Sequence, residues 1–523
     1  MIARPVIVAA VALAACGEPT RAVLRDAGPR SDAGAEPDVV DGGADPRAGA
    51  VQAGDCAVDH GGCSAYATCA AAGPGMRRCV CAPGLRVRED QRGCVGLLLA
   101  SRDREGRASR GASGEPHLAP DGRFVAFVSA AARLASEAPP PTLDAPATPQ
   151  CYVRDLRTGR TVVVSTNSEG GYAEGGACTS PQLVGDGTAV AFLYPDAPLS
   201  LRAPRGNGLQ VYTRSLGDGL RPGAPTWVPV DRNRPGVNSG MLGGLRISRD
   251  GARMVFATDG RLSTNDDDTQ TDLYLVQVAT GAVTRVTQRA DGRVAPWAPC
   301  AGGNVGGWWT LSRDGSMVTF NSARTFVTAD ADMVRDPYLA RVDLPQVVLL
   351  AERRFALNDA DCHVLELGTA LSGDGRWVLF QSDNPRFDDA LSYREPDYYL
   401  RDLAQGDRGD AGLRALRLRP GLADQPALSG DGRVAAVTSL TRIEDGGSGQ
   451  RGMTPHLFRV ELAATPTLEV VDRDGSGRVL DVERGRFAPS MSDDARAIAF
   501  TTTAPLLPED QNGDPDVYVR VWW

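Results

Sequence analysis

The stretch LSGDGRWVLF, at residues 371–380, is one copy of a pattern that recurs along this chain of 523 residues. An apolar segment leads into Ser-x-Asp-Gly or a close variant, and a run of alternating apolar residues follows. Seven copies lie 57 to 65 residues apart, and their aspartates are Asp121, Asp186, Asp250, Asp314, Asp374, Asp431 and Asp494. A period of this length indicates an array of similar units rather than one ordinary domain.

Each repeat is typical of four short β-strands. In the first copy, residues 120–122 (Pro-Asp-Gly) predict a tight turn, because Asp bonds its own backbone and Gly accepts a positive φ. Alternating residues at 123–129 predict the second strand, and residues 152–156 and 161–165 predict the third and fourth. The seventh copy departs from the pattern, because Ala495 stands where the other copies have Gly.

Tandem four-stranded units predict an all-β fold, a seven-bladed β-propeller. The seventh unit ends at Trp523 after its third strand, whereas residues 96–101 form an unassigned apolar strand near the start of the repeats. We expect residues 96–101 to complete the last blade. This closure would leave no open sheet edge in the ring.

Two features of the repeats carry a family resemblance. One is the Ser-x-Asp-Gly turn, and the other is an Asp-x-Tyr that begins the third strand, with the acid kept at Asp272, Asp336, Asp397 and Asp516. On these features residues 96–523 resemble the WD-like repeats of TolB-type β-propellers. Sialidase Asp boxes are a poorer match, because here Gly follows Asp directly.

The N-terminus has the layout of an export signal, with Arg4 followed by an apolar run too short to span a bilayer. It ends in Leu-Ala-Ala-Cys-Gly at residues 13–17, which resembles the lipobox of bacterial lipoproteins. The resemblance implies that residues 1–15 are a signal peptide and that Cys16 carries lipid, placing the protein in the cell envelope, at the outer membrane or cell surface. In the alternative, a plain secretory signal, Cys16 is incidental. Residues 16–54 are rich in Ala, Gly, Asp and Pro, and this predicts a disordered linker or a binding tail.

Six cysteines fall within 39 residues: Cys56, Cys63, Cys69, Cys79, Cys81 and Cys94. Such density in an exported chain predicts a disulfide framework, although spacing alone does not choose among fifteen pairings. A metal site at Cys79-Val-Cys81 is the disfavoured alternative, because the spacing is short for zinc and an oxidising compartment opposes free thiolates.

The order and spacing of these cysteines, with His-Gly-Gly-Cys at 60–63 and Pro-Gly at 83–84, resemble an epidermal-growth-factor-like (EGF-like) domain over residues 55–95. The resemblance implies three disulfide bonds, which are Cys56–Cys69, Cys63–Cys79 and Cys81–Cys94. It implies a spacer or contact module without catalysis.

Four further cysteines lie in the repeats. Their predicted loops emerge on one face of a propeller, and this makes Cys151–Cys178 and Cys300–Cys362 the natural disulfide pairs. No odd thiol remains once Cys16 is lipidated. A reactive cysteine is the functional alternative, and it would need a depressed pKa.

No catalytic constellation can be named from the sequence, but one acidic loop has the ligand spacing of a calcium-binding EF-hand. It would use Asp472, Asp474, Ser476 and Glu483. Strands rather than helices should flank this loop, and the repeat itself accounts for part of its sequence. Calcium is therefore the one cofactor that the sequence suggests.

The net charge of −9 argues against nucleic acid as a partner. We expect a monomeric, lipid-anchored binding or scaffold protein that uses its long propeller loops to contact an envelope or extracellular protein or polymer. A hydrolase or lyase acting on such a polymer is the alternative function, and a structural spacer without a ligand is a third. Convergent carboxylates at the mouth of the ring would favour the enzyme.

Overall fold

The computed structural model of the protein describes residues 23–24, 45–89, 91, 93–136, 148–171, 176–195, 199–200, 209–228, 230, 244–264, 266, 270–289, 305–328, 330, 336–344, 346–350, 368–382, 397–409, 411–418, 420, 425–440, 454–480 and 487–522. Within these ranges the chain consists of β-strands, turns and a short 3₁₀ helix, η1 (Asp59–Gly62). No helix in the described ranges is both long and apolar enough to cross a membrane.

The strands follow the repeat. Before the ring lie β1 (Val23–Leu24), β2 (Gln52–Ala53), β3 (Ala67–Gly73), β4 (Met76–Cys81) and β5 (Leu85–Val87), and β6 (Cys94–Leu99) follows them. Blade 1 contains β7 (Ser113–Leu118), β8 (Phe124–Ser129), β9 (Gln150–Asp155) and β10 (Thr161–Val163). Blade 2 contains β11 (Thr179–Val184), β12 (Ala189–Pro195), β13 (Leu209–Gly217), β14 (Arg221–Pro222) and β15 (Thr226–Val228). Blade 3 contains β16 (Arg246–Ile247), β17 (Arg253–Thr258), β18 (Asp272–Gln277) and β19 (Ala282–Arg285).

The remaining blades repeat the arrangement. Blade 4 contains β20 (Val305–Leu311), β21 (Met317–Ser322), β22 (Asp336–Arg341) and β23 (Gln346–Leu349). Blade 5 contains β24 (Thr369–Leu371), β25 (Trp377–Ser382), β26 (Asp397–Asp402) and β27 (Leu413–Ala415). Blade 6 contains β28 (Ala427–Leu428), β29 (Val434–Ser439), β30 (His456–Glu461) and β31 (Thr467–Val470), and β1 adds to β31 in parallel. Blade 7 contains β32 (Ser490–Met491), β33 (Ala497–Thr502), β34 (Asp516–Val521) and the early strand β6.

The seven blades form a closed β-propeller. The first strand of each blade contacts the first strand of the next, and β32 of blade 7 contacts β7 of blade 1. We call these seven first strands the inner strands. Strand β6 pairs antiparallel with β34, with Leu98 opposite Val519, so the predicted closure of the last blade by an N-terminal strand is confirmed.

The motif residues build the turn between the first two strands of a blade. In blade 3, the Ser248 hydroxyl donates to Asp250 Oδ1 at 2.6 Å and accepts the Arg253 N–H at 2.9 Å. Gly251 follows at φ +73°, a conformation that glycine adopts without steric cost. In the seventh copy Ala495 adopts φ +57°, so the turn is conserved in shape although its glycine is not. The motif aspartates are thus turn-forming residues.

The Asp-x-Tyr tyrosines help to hold the second and third strands together. In five blades the tyrosine at this position stacks across the strand pair on a phenylalanine, although in blades 1 and 2 it lies two residues after Gln rather than Asp. The ring centroids are 5.8 to 6.0 Å apart in four pairs and 5.5 Å apart in the fifth. The pairs are Phe127–Tyr152, Phe192–Tyr212, Phe320–Tyr338, Phe380–Tyr399 and Phe500–Tyr518. Aromatic cross-strand pairs of this kind stabilise sheets beyond simple burial.

Residues 45–93 form a cysteine module around the sheet β2-β4-β3. Its disulfide bonds are Cys56–Cys69, Cys63–Cys79 and Cys81–Cys94, the pairs that the family resemblance implies. The module begins earlier than the predicted boundary at residue 55. Residues 45–54, assigned to the linker from their composition, lie along it, because Gly49 N–H donates to the Cys79 carbonyl and β2 pairs with β4.

The module is joined to the ring by main-chain pairing and by packing. Strand β5 pairs with β6 and extends blade 7 to five strands. Tyr66 and Leu85, each 3 % exposed, share one apolar core with residues of blades 1 and 7. The module is therefore part of the ring's hydrophobic core on that side.

Candidate functional site

A cavity of about 850 Å³ lies on the axis of the propeller, where the inner strands begin. Its size is typical of small-molecule sites, which are roughly 300–1,000 Å³. All seven inner strands contribute the residue two positions before the motif serine or its equivalent: His117, Gln182, Arg246, Thr310, Ala370, Ala427 and Ser490. Six contribute the residue two positions earlier: Glu115, Ser180, Gly244, Trp308, Gln425 and Ala488.

The cavity wall is asymmetric, although the architecture would allow seven-fold symmetry. On blades 1 to 4 the deeper positions are polar, with His117, Gln182, Arg246 and Thr310. On blades 5 and 6 the same position is alanine, and on blade 7 it is Ser490. The small side chains leave space opposite the polar arc, so the variation among equivalent positions creates the cavity and its polarity.

Arg246 reaches from blade 3 to blade 6. Its guanidinium donates to Gln425 Oε1 at 2.5 Å, and Gln425 Nε2 donates to the Trp309 carbonyl at 3.0 Å. Burial lowers the pKa of Arg246 to about 10, and the Glu115 carboxylate opposes that shift. Arg246 therefore remains a cation at neutral pH, and it links two walls of the cavity.

Glu115 and His117 occupy the wall formed by blade 1. Glu115 Oε2 accepts the N–H of Ser180 at 2.6 Å, and burial raises its pKa. His117 Nδ1 accepts the N–H of Leu183 at 3.0 Å, so Nε2 must carry the proton of the neutral ring. Burial, and then Arg246, lower the pKa of His117 to about 3, which keeps this imidazole uncharged at neutral pH.

Three residues that line the cavity have a left-handed backbone although none is glycine. Glu115, Ser180 and Ala488 have φ of +50°, +53° and +41°, and a proline follows each of them. Such a conformation costs about 1–3 kcal/mol per residue and clusters at functional sites. The repeat itself does not require it, because Gln425, also followed by proline, lacks it.

The opposite end of the axis is filled by charged side chains from the motif turns. Arg249 contacts Asp186 at 3.1 Å and Asp493 at 3.4 Å, and Arg313 pairs with Asp493 from the other side. Arg313 covers Gly373, where a Cβ atom would clash with the guanidinium carbon. The axial channel is thus blocked at the turn end, leaving a one-ended cavity.

The structure gives the predicted calcium ligands other partners. Asp472 is fully buried, with Oδ2 3.0 Å from His456 Nδ1 and Oδ1 accepting the Leu457 N–H. Asp474 Oδ1 accepts the N–H and hydroxyl of Ser476, which makes a local turn. Glu483 lies outside the described residues. Within the described ranges no three His, Cys, Asp or Glu side chains are grouped to hold a metal ion, so the calcium site stays a prediction.

The His456–Asp472 pair has an architectural explanation. In blade 7 the first residue of the third strand is Asp516, and its carboxylate accepts from Ser101 at 2.5 Å at the end of the fourth strand. In blade 6 His456 stands at the position of Asp516, and Asp472 stands at the position of Ser101. Both blades therefore link the start of the third strand to the end of the fourth, but the acid is on the third strand in blade 7 and on the fourth-strand side in blade 6.

The remaining predicted cysteine sites are only partly described. Cys151 and Cys178 form a disulfide with Cα atoms 5.5 Å apart, although Cys151 lies within β9 rather than in the predicted loop. Cys16, Cys300 and Cys362 lie outside the described residues.

Sequence reasoning located binding in the long loops and missed the cavity residues on the inner strands. The signal that could have found them is positional. When the seven copies are aligned on the motif, the residues two and four positions before its serine vary widely in chemistry, from Ala to Arg and from Gly to Trp, whereas the residue directly before the serine is always apolar.

No protein family and no curated protein matches this chain by sequence. Among solved structures, oligogalacturonate lyase from Vibrio parahaemolyticus is similar at 12% identity and a TM-score of 0.47, over 84% of this chain and 96% of that one. An oligogalacturonate lyase in complex with manganese is similar at 14% identity and 0.45, over 82% and 97%. TolB from Acinetobacter baumannii is similar at 15% identity and 0.35, over 69% and 63%. The likeness is one of fold.

Proposed function

We propose that the protein is an exported, lipid-anchored binding protein that holds an envelope or extracellular ligand in the axial cavity. The observation that carries this proposal is the cavity itself. Five of its seven equivalent inner-strand positions are polar and two are alanine, and three of its residues have a strained backbone. A repeat that served only as a scaffold would need neither feature.

The protonation state of His117, the imidazole in the cavity, favours a binding role over a hydrolase or lyase activity. A general base must be able to take a proton near the working pH. His117 Nδ1 already accepts a hydrogen bond from a main-chain N–H, and burial lowers the pKa of His117 to about 3. Glu115 is the one carboxylate among the described residues that line the cavity.

The N-terminal part has a supporting role in this proposal. We propose that lipid on Cys16 anchors the chain and that the EGF-like cysteine module joins the tether to the ring. The module contacts the turn end, where Tyr66 lies beside Gly122 of the first motif.

Photo-cross-linking in living cells tests the binding role. Benzoylphenylalanine replaces Thr310 in the cavity, and in a matched control it replaces Leu344, an exposed residue on a turn of the same blade. We expect an adduct, identified by mass spectrometry, at position 310 and none at position 344. Equal labelling at both positions, or none at 310, would contradict the proposal.

The lipid anchor is tested separately. Cells grown with a radioactive fatty acid should label the wild-type protein and leave a Cys16→Ser variant unlabelled. An unlabelled wild-type protein would exclude the anchor while leaving the cavity proposal intact.

A further inference from the structure

Resting on the proposed binding role of the cavity, we infer that its ligand is a short, uncharged oligosaccharide. Three properties of the described cavity wall support this class of ligand. Its charges balance, and main-chain amides on two of its strands are already hydrogen-bonded. It also combines side chains that can hydrogen-bond to sugar hydroxyls with flat apolar surfaces.

The charges of the cavity lining cancel. Glu115 contributes one negative charge and Arg246 one positive charge, and His117 is neutral. The two charged groups already interact electrostatically. An anionic ligand would meet Glu115, and a cationic ligand would meet Arg246, so either would leave one like charge poorly compensated beside a buried group. A neutral ligand avoids this penalty.

On the inner strands of blades 1 and 2, three main-chain amides that a peptide would use are already engaged. An extended peptide is commonly held by adding to a strand edge, which requires free N–H groups. On the inner strands, Leu118 N–H donates to Ser490 Oγ of blade 7 at 2.9 Å, and Leu183 N–H donates to His117. Ser180 N–H donates to Glu115. On these two strands, side chains are therefore left to recognise the ligand.

Those side chains match a polyhydroxylated molecule. Hydroxyls such as those of Ser180 and Thr310 both donate and accept, as sugar hydroxyls do, and His117 offers a fixed Nε2–H donor. Trp308 and the rim prolines add flat apolar surface of the kind that packs on the C–H face of a sugar ring. The volume of about 850 Å³ admits more than one sugar ring.

Calorimetry on the full chain in detergent tests the ligand class. The neutral probes are cellotetraose and chitotetraose, and the alternatives are trigalacturonate as an acidic sugar and tetra-alanine as a peptide. We expect a neutral probe to bind with an affinity that is insensitive to salt, because no ion pair forms across the site.

Variants connect the binding to the cavity. Ala427→Leu fills the small-residue wall and should weaken the neutral probe at least about tenfold. If Ala427→Leu fails to fold, Ala177→Leu, which changes another residue lining the cavity, replaces it in the same measurement with the same expected result. Arg249→Gln at the blocked end should leave the affinity unchanged.

Two results would overturn the inference. Cavity-dependent binding of trigalacturonate or tetra-alanine, without binding of the neutral probes, would exclude the ligand class and leave the proposed binding role standing. Binding of no probe would also exclude it. The binding role itself is tested independently, by the cross-linking experiment at Thr310.

Discussion

Glycines in the tight turns of this protein, such as the motif glycine Gly432 and the loop glycine Gly477, are required for two separable reasons, the sign of φ and the space beside the backbone. Gly432 has φ +68°, and a Cβ atom there would lie 2.7 Å from Trp377 Cβ and closer still to its ring. Gly477 has φ +89°, and a Cβ atom there would have no other atom within 4 Å. The two positions share the backbone cost and differ in the steric cost.

We expect Gly432→Ala to lower the free energy of unfolding by about 3 kcal/mol or more, because strain and overpacking add. Gly477→Ala should lower it by only about 1 kcal/mol, from the backbone alone. Urea denaturation measures both. Equal losses would show that the Trp377 contact relaxes without cost.

A second residue-scale property is the buried acid Asp516. Burial raises its pKa to about 7, against the opposing hydrogen bonds from Ser101 and Asn512. An unfolded aspartate titrates near about 4. Between these two values the folded state binds the proton more tightly than the unfolded state does, so the stability contributed by this group falls as pH rises from about 4 to 7.

Asp516→Asn should therefore flatten the dependence of unfolding free energy on pH in this window. Asp402→Asn is the control, because a side-chain hydrogen bond from Arg376 lowers the pKa of Asp402. The stability from Asp402 is lost only as pH falls below about 4, so its removal should leave the slope at higher pH unchanged. An unaltered slope in Asp516→Asn would place the titration elsewhere.

At the scale of elements, the Cys81–Cys94 disulfide holds the strand that closes the ring. It connects the end of β4 to the start of β6, and β5 pairs with β6 between them. The Cys56–Cys69 disulfide spans the same sequence separation of 13 residues but lies within the module. The chain-entropy contribution of the two bonds, about 3 kcal/mol, is therefore matched.

We expect the double variant Cys81→Ala, Cys94→Ala to speed amide hydrogen exchange in β34, the partner of β6. The double variant Cys56→Ala, Cys69→Ala should leave exchange in β34 close to wild type. Mass spectrometry of peptides covering residues 516–521 measures the difference. Similar exchange in both variants would mean that the ring closes without help from the module.

The elements were predictable where local chemistry repeats. The Asp-Gly turn and the alternating apolar residues after it define each blade. The strand at residues 96–101 had no partner in the first repeat, and the last repeat lacked a fourth strand, so the pairing of β6 with β34 was predictable. The cavity was not predictable in the same way, because it depends on single residues from seven strands spread over more than 370 residues of sequence. Their positions recur with the motif, but their side chains differ from copy to copy, so no shared residue type marks them. The EF-hand spacing that begins at Asp472 likewise did not reveal His456 as its partner.

At the scale of the whole molecule, the cysteine module is a structural part of the propeller rather than a separate spacer. The ring of Tyr66 is buried between blades 1 and 7, within the same apolar cluster as Leu118 and Val519. Its hydroxyl has no hydrogen-bond partner among the described residues, and burial raises its pKa. The ring therefore contributes through its apolar face.

Tyr66→Ala should lower the thermal midpoint of the entire protein in a single calorimetric transition, with a loss of about 3–5 kcal/mol as for other large core aromatics. Tyr66→Phe should be neutral or slightly stabilising, because it removes an unsatisfied buried hydroxyl and keeps the packing. Val58→Ala is the matched control in the module, since Val58 is 69% exposed. If Tyr66→Ala instead produced a separate low-temperature transition, the module would unfold alone. The shared core would then not couple the folding of the module to that of the ring.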